Sequence, residues 1–135
     1  MKSTREIFYK LKKLSKKWEP YFDVYDKHLS RFRGKSPKIL EIGVQNGGSI
    51  DMWQQYFGEG TKIVGIDVLP ECANLKYNND VEIVIGDQAS NDFWNGFLVN
   101  HTDFDIVIDD GSHVMNHQIT TLNKVFPDRK STRLN

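Results

Sequence analysis

The feature that most constrains this chain is an alternation that begins at Pro37. Short apolar runs, each able to form one buried strand, alternate with segments of helical length. Lys38–Gly43, Lys62–Asp67, Val81–Gly86 and Asp105–Ile108 read as four strands. Ser49–Phe57, Asn91–Asn100 and His113–Val125 read as helices, with Ser49 as N-cap and Asp51 in the first turn of its helix. Strands separated by helices pair in parallel through right-handed crossovers. The expected fold is therefore α/β, a doubly wound parallel sheet with its strands in the order third, second, first, fourth.

Acids close these strands. Glu41 lies near the end of the first, Asp67 ends the second, Gly86-Asp87 follows the third, and Asp109-Asp110-Gly-Ser-His113 follows the fourth. Ligands of open α/β sheets bind outside the carboxyl ends of the strands, and adjacent buried carboxylates are costly without a cation or donors nearby. All five acids are expected on one edge. Singly, Asp67 and Asp87 could be ordinary turn acids, and His113 a capping histidine; the set together points to a bound ligand.

The first strand-to-helix turn, Gly43-x-x-x-Gly47-Gly48, departs from the dinucleotide pattern and is a weak signal alone. Asp67 is placed to accept hydrogen bonds from ribose hydroxyls. Glu41 would put negative charge beside a pyrophosphate, so a ligand with a cationic centre and no phosphate fits better. S-adenosylmethionine is such a ligand. A nicotinamide-dependent, NAD(P)-type oxidoreductase is the weaker enzyme alternative, and an inactive cofactor-binding or partner-binding fragment is the non-enzyme one.

The balanced overall charge hides an asymmetry. Residues 1–38 hold 12 Lys/Arg against 4 Asp/Glu, an excess of +8, which leaves −8 for the rest. Ile7, Phe8, Leu11, Leu14 and Trp18 recur at helical spacing, so a basic amphipathic helix packed on the domain is expected, followed by an aromatic-rich segment to Phe32 and a turn over residues 31–37. Binding of that basic face to an anionic membrane surface or an acidic partner is the competing reading. The acidic remainder argues against nucleic acid. No apolar run reaches membrane-span length, and Cys72, the single cysteine, fits a reducing compartment, with cytoplasm the default.

Three segments follow. Residues 1–36 form the N-terminal helix and aromatic segment, and 37–127 the cofactor-binding domain. Residues 128–135, hydrophilic and without periodicity, resemble a translated sequencing-library adapter and are expected to be a non-native tail. On that reading the sheet is truncated after the fourth strand and its helix. The fourth strand then lies at an edge, with the tail unstructured.

Leu40-Glu-Ile-Gly-Val-Gln-Asn-Gly-Gly-Ser49, Gly65-Ile-Asp67, Gly86-Asp87-Gln88 and Ile108-Asp-Asp-Gly-Ser-His113 occur in this order. With them, residues 38–127 resemble the front half of a class I S-adenosylmethionine-dependent methyltransferase, a Rossmann-like fold. More narrowly they resemble the macrocin/mycinamicin sugar O-methyltransferase family. The resemblance implies that Glu41 and Gly43 line the methionine end of the cofactor, Asp67 the ribose, and Asp87 with Gln88 the adenine, Gly47 and Asp109 completing the cofactor set. It implies Asp110 as a Mg2+ ligand and His113 as general base. The family's other metal ligands lie on an acidic pair after a fifth strand, past this chain. The implied acceptor is a hydroxyl of a sugar, glycosylated natural product or polysaccharide; a homo-oligomer stays open. His117 reads as structural or supporting, His28 and His101 have no evident partner, and Trp53, Trp94, Phe93 and Phe97 read as core.

Overall fold

The structure, a computed structural model, describes residues 1–10, 19–109 and 132–134. Its centre is a parallel sheet of five strands: β1 (Lys38–Ile42), β2 (Lys62–Asp67), β3 (Val81–Ile85), β4 (Ile106–Asp109) and β5 (Thr132–Leu134). They lie in the order β3-β2-β1-β4-β5, every neighbouring pair parallel. The order expected for the first four strands holds.

Side chains alternate between the two faces, and two apolar layers result. On one face Ile39, Ile63, Val81, Ile106 and Ile108 pack with Ile50, Trp53 and Phe57 of α3 (Gly48–Phe57). On the other Leu40, Ile42, Val64, Ile66 and Val107 pack with Trp94 and Phe97 of α4 (Asn91–Asn100). Complete burial of one such aliphatic side chain contributes roughly 1.5–3 kcal/mol. β1, between β2 and β4, is buried at four of its five positions. Trp53, Trp94 and Phe97 are core, as expected, and Phe93 is partly buried against the latter two.

The N-terminal region differs from the expectation in part. A helix, α1 (Thr4–Lys10), buries Ile7 and packs on α3, while Lys2 and Lys10 are exposed. Leu11, Leu14 and Trp18 lie outside the described residues. The aromatic segment is itself helical: α2 (Glu19–Leu29) buries Phe22, Tyr25 and Leu29, and a 3-10 turn, Ser30–Phe32, follows. Pro20 is compatible with this helix, because proline is tolerated in a first turn. Thr4, fully buried, ties α1 to α2 through Asp26 Oδ1 at 3.1 Å and the Phe22 carbonyl at 3.1 Å.

The expected edge position of the fourth strand fails. β4 is not an edge strand, because β5 pairs along it in the register Ile106 with Thr132 through Ile108 with Leu134. The outer side of β4 carries a row of backbone donors and acceptors, and a short strand laid there satisfies them. Three residues of the expected tail are thus ordered into the sheet. The helix expected over His113–Val125 lies outside the described residues, as do Asp110, His113 and His117.

Candidate active site

The topology sets a switch point at one end of the sheet. α3 connects β1 to β2 on one face, and α4 leads from β3 to β4 on the other, so the chain changes faces between β1 and β4. Such a switch point, at the carboxyl ends of the strands, is where open α/β sheets take ligands. Ile42 is level with both Ile66 and Asp109. This register sets Glu41, Asp67 and Asp109 within one residue of a common height, and Gly86-Asp87 follows directly after β3. The acids share an edge, as expected. They do not share a face: Glu41 and Asp67 turn toward α3, and Asp109 is on the side of α4.

Glu41 has no solvent exposure, and Trp53 Nε1 donates to its Oε1 at 3.2 Å. Its in-register neighbour on β2 is Gly65. A Cβ at Gly65 would lie 2.7 Å from Val44 Cγ2 and 3.1 Å from Ile50 Cδ1, so the missing side chain lets the β1–α3 loop settle onto β2.

Asp67 holds that loop. Its Oδ2 accepts from the backbone N–H of Val44 at 2.8 Å and of Gln45 at 3.0 Å, and its Oδ1 accepts from Leu69 N at 3.0 Å. Three backbone donors on one nearly buried carboxylate make it the loop's anchor, a role the ribose expectation did not include. Gly43 N donates to the Ile66 carbonyl at 2.8 Å, extending the β1–β2 ladder past the strand.

The expectation for Ser49 is corrected. α3 starts one residue earlier, at Gly48, and its N-cap is Gly47 in the left-handed region with φ 86°. Ser49 is buried inside the first turn. Gly47 is required there on two counts: its φ, and its surroundings, since a Cβ would fall 2.2 Å from Tyr77 Oη.

On the other face Gln88 Nε2 donates to both oxygens of Asp109, at 3.4 and 3.2 Å, and the Gln88 carbonyl accepts from Trp94 Nε1 at 2.8 Å. Gln88 and Asp109 are both buried. Asp87 is exposed, and its carboxylate accepts from Ala89 N at 2.9 Å, closing the turn before α4. His101 is not part of this edge; it stacks on Phe97 at 4.3 Å and reaches Glu82 Oε1 at 3.0 Å.

Sequence reasoning missed four residues. Cys72 Sγ donates to the Gln45 carbonyl at 3.2 Å, and burial, with Asp67 beside it, pushes the thiol up to about 11. Tyr77 donates to the Gly47 carbonyl. Val68 and Leu69, directly after Asp67, present exposed apolar side chains at the same edge. Cys72 and Tyr77 carry no motif; the only signal was their place in the connection that leaves β2. Among the described residues no group of three or more His, Cys, Asp or Glu side chains could hold a metal ion. No helix among them is long and apolar enough to cross a membrane.

This sheet and this edge define the N-terminal part of a class I S-adenosylmethionine-dependent methyltransferase fold. More narrowly, the chain's homologues are the macrocin, mycinamicin and tetracenomycin sugar O-methyltransferases. It is 36% identical over 120 residues to an 8-demethyl-8-(2-methoxy-alpha-L-rhamnosyl)-tetracenomycin-C 3'-O-methyltransferase of Streptomyces olivaceus, covering 82% of this chain and 29% of that protein. It is 34% identical over 110 residues to the mycinamicin VI 2''-O-methyltransferase of Micromonospora griseorubida, covering 76% and 27%. The MycE methyltransferase of the mycinamycin biosynthetic pathway, solved in complex with Mg, SAH and mycinamycin VI, superposes with a TM-score of 0.76 at 29% identity, over 93% of this chain and 34% of that one. No protein-family model matches. The chain thus spans less than a third of these two relatives' length, and the oxidoreductase alternative gains no support from them.

Proposed function

We propose that this chain is the cofactor-binding front of an S-adenosylmethionine-dependent O-methyltransferase acting on a hydroxyl of a sugar or glycosylated natural product. The observation that carries the reading is the loop at the carboxyl edge. A fully buried Glu41 lies beneath it and a buried Asp67 anchors it. Two desolvated carboxylates favour a ligand whose reacting end is cationic over one that brings a pyrophosphate. S-adenosylmethionine supplies a methyl group on a sulfonium.

Glu41 and the Gly43–Gly47 backbone would take the methionine end. Asp67 would meet the ribose, and the exposed Val68 and Leu69 offer apolar surface for the adenine, with Asp87 and Gln88 at its rim. Gln88, buried against Asp109, supports this subsite by fixing the end of β4. His113, three residues past Asp110, is the base in this reading: the acceptor oxygen attacks the methyl carbon, the imidazole takes its proton, and the sulfur leaves as a neutral thioether. An imidazole suits that work because its ordinary pKa lies close to neutral pH. Asp110 is the proposed Mg2+ ligand, an oxygen donor of the hard type that Mg2+ prefers. Cytoplasmic location and a saccharide acceptor belong to the same proposal.

Calorimetry on the full-length gene product, titrated with S-adenosylhomocysteine and with NAD+, tests the cofactor. Binding of the first and not the second is expected, and the reverse would overturn the reading. Methyl transfer to deoxysugar and polysaccharide acceptors, with and without Mg2+, tests the chemistry.

A further inference from the structure

The connection from β2 to β3 turns back over the glycine loop and grips it at two points beyond Asp67. After the 3-10 turn Pro70–Asn74 the chain is extended at Leu75, and the half-buried Tyr77 phenol donates to the Gly47 carbonyl at 3.0 Å. That carbonyl also accepts from Asp51 N at 3.0 Å, the first hydrogen bond of α3. Tyr77 therefore bonds to the residue on which the helix begins. Leu75 Cδ1 and Tyr77 Cζ would each lie 3.4 Å from a Cβ on Gly47, so the two side chains close the outer side of the turn. Five residues before Tyr77, Cys72 holds the Gln45 carbonyl. With Asp67 on the amides of Val44 and Gln45, side chains from one short stretch, residues 67–77, fasten the loop between residues 44 and 47.

The phenol keeps its proton through the working pH range. Burial raises its pKa first, the Asp51 carboxylate adds to the rise by its charge and by a hydrogen bond with the hydroxyl, and Glu41 adds by its charge. A neutral donor thus stays beside two acids at the end of the loop where α3 begins. Such an arrangement fixes where backbone carbonyls and amides point before any ligand arrives, and a preorganised site loses less free energy on binding.

We propose that Tyr77 is a positioning residue for the cofactor: its hydroxyl latches the β2–β3 connection onto the N-terminus of α3 and holds Gly47 and Gly48 in the conformation that the methionine end requires. The proposal rests on the cofactor reading above, but its first consequence needs no ligand.

The test compares the full-length gene product with its Tyr77→Phe and Tyr77→Ala variants. Phe keeps the ring packing against Gly47 and removes only the donor. In the ligand-free protein, amide exchange over residues 46–51 should quicken about five- to tenfold in Tyr77→Phe, with peptides from β4 and α4 unchanged, as expected for one lost hydrogen bond. S-adenosylhomocysteine affinity should weaken by a similar factor, the acceptor KM staying constant and the melting temperature of Tyr77→Phe near wild type. Tyr77→Ala should weaken affinity further. Wild-type exchange in Tyr77→Phe would overturn the latch. Faster exchange with unchanged affinity would overturn the positioning role. If the wild type bound no S-adenosylhomocysteine, the cofactor reading would fall, and with it the positioning role, while exchange would still decide whether the latch exists.

Discussion

Asp67 Oδ2 lies 2.8 Å from the backbone N–H of Val44, so the acid that ends β2 is bonded to the loop that leaves β1. A second loop amide, Gln45 N, shares that oxygen at 3.0 Å. The loop takes its shape from a neighbouring strand as much as from its own glycines.

Asp67→Ala should therefore act twice. Hydrogen bonds to a charged acceptor contribute about 1.5–3 kcal/mol, so the unfolding free energy should fall by at least about 2 kcal/mol. S-adenosylhomocysteine affinity should weaken by about 1–3 kcal/mol through lost ribose contacts and a loosened loop. Asp67→Asn, which keeps one acceptor oxygen, should recover part of the stability. Denaturant unfolding and calorimetry separate the two effects, and unchanged affinity in Asp67→Ala would leave Asp67 a loop anchor alone.

Gly65→Ala tests the fit between loop and sheet. Its Cβ would fall 2.7 Å from Val44 Cγ2 and 3.2 Å from Ile83 Cδ1, on a Val44 whose amide Asp67 holds in place. Overpacking of this kind costs about 1–3 kcal/mol, to be read as a lower denaturation midpoint. Wild-type stability would show that the Val44 side chain swings clear.

His113→Ala should reduce turnover by about 10²–10⁴-fold while leaving cofactor affinity near wild type, because a general base acts in the transition state. Single-turnover methyl transfer at saturating cofactor measures it. Full activity in the variant would remove His113 from the chemistry.

Cys72 makes a prediction about alkaline pH. Its thiol rises from 9.0 to about 11, burial being the main cause and Asp67 the next. Between those values the unfolded chain releases the proton and the folded one retains it. The Cys72 contribution is thus complete below about pH 9 and is lost as pH rises toward 11. Cys72→Ala should flatten the fall in stability across that window. Alkylation of the folded protein at pH 8 should be slow, and fast labelling there would contradict a buried, protonated thiol.

The four expected strands, the order in which they pair and the span Asn91–Asn100 of α4 were legible in the sequence, because strand and helix periodicities are local and each strand ends in an acid or a glycine. The edge on which Glu41, Asp67 and Asp109 gather was legible for the same reason: residues at strand ends in a parallel sheet must share one side. Other features depended on which elements meet. The α2 helix was hidden by an aromatic run without clear polar alternation. Gly47 caps α3 in place of Ser49, and Tyr77, thirty residues away, fills the space where a side chain at 47 would go. The split of the acids between two faces, the bonds from Asp67 and Cys72 to the loop, and the placing of Thr132–Leu134 beside β4 also joined residues far apart in the chain. Residue type and spacing record what a segment can become. A backbone amide or a strand edge finds its partner by proximity, and proximity exists only once the chain has folded.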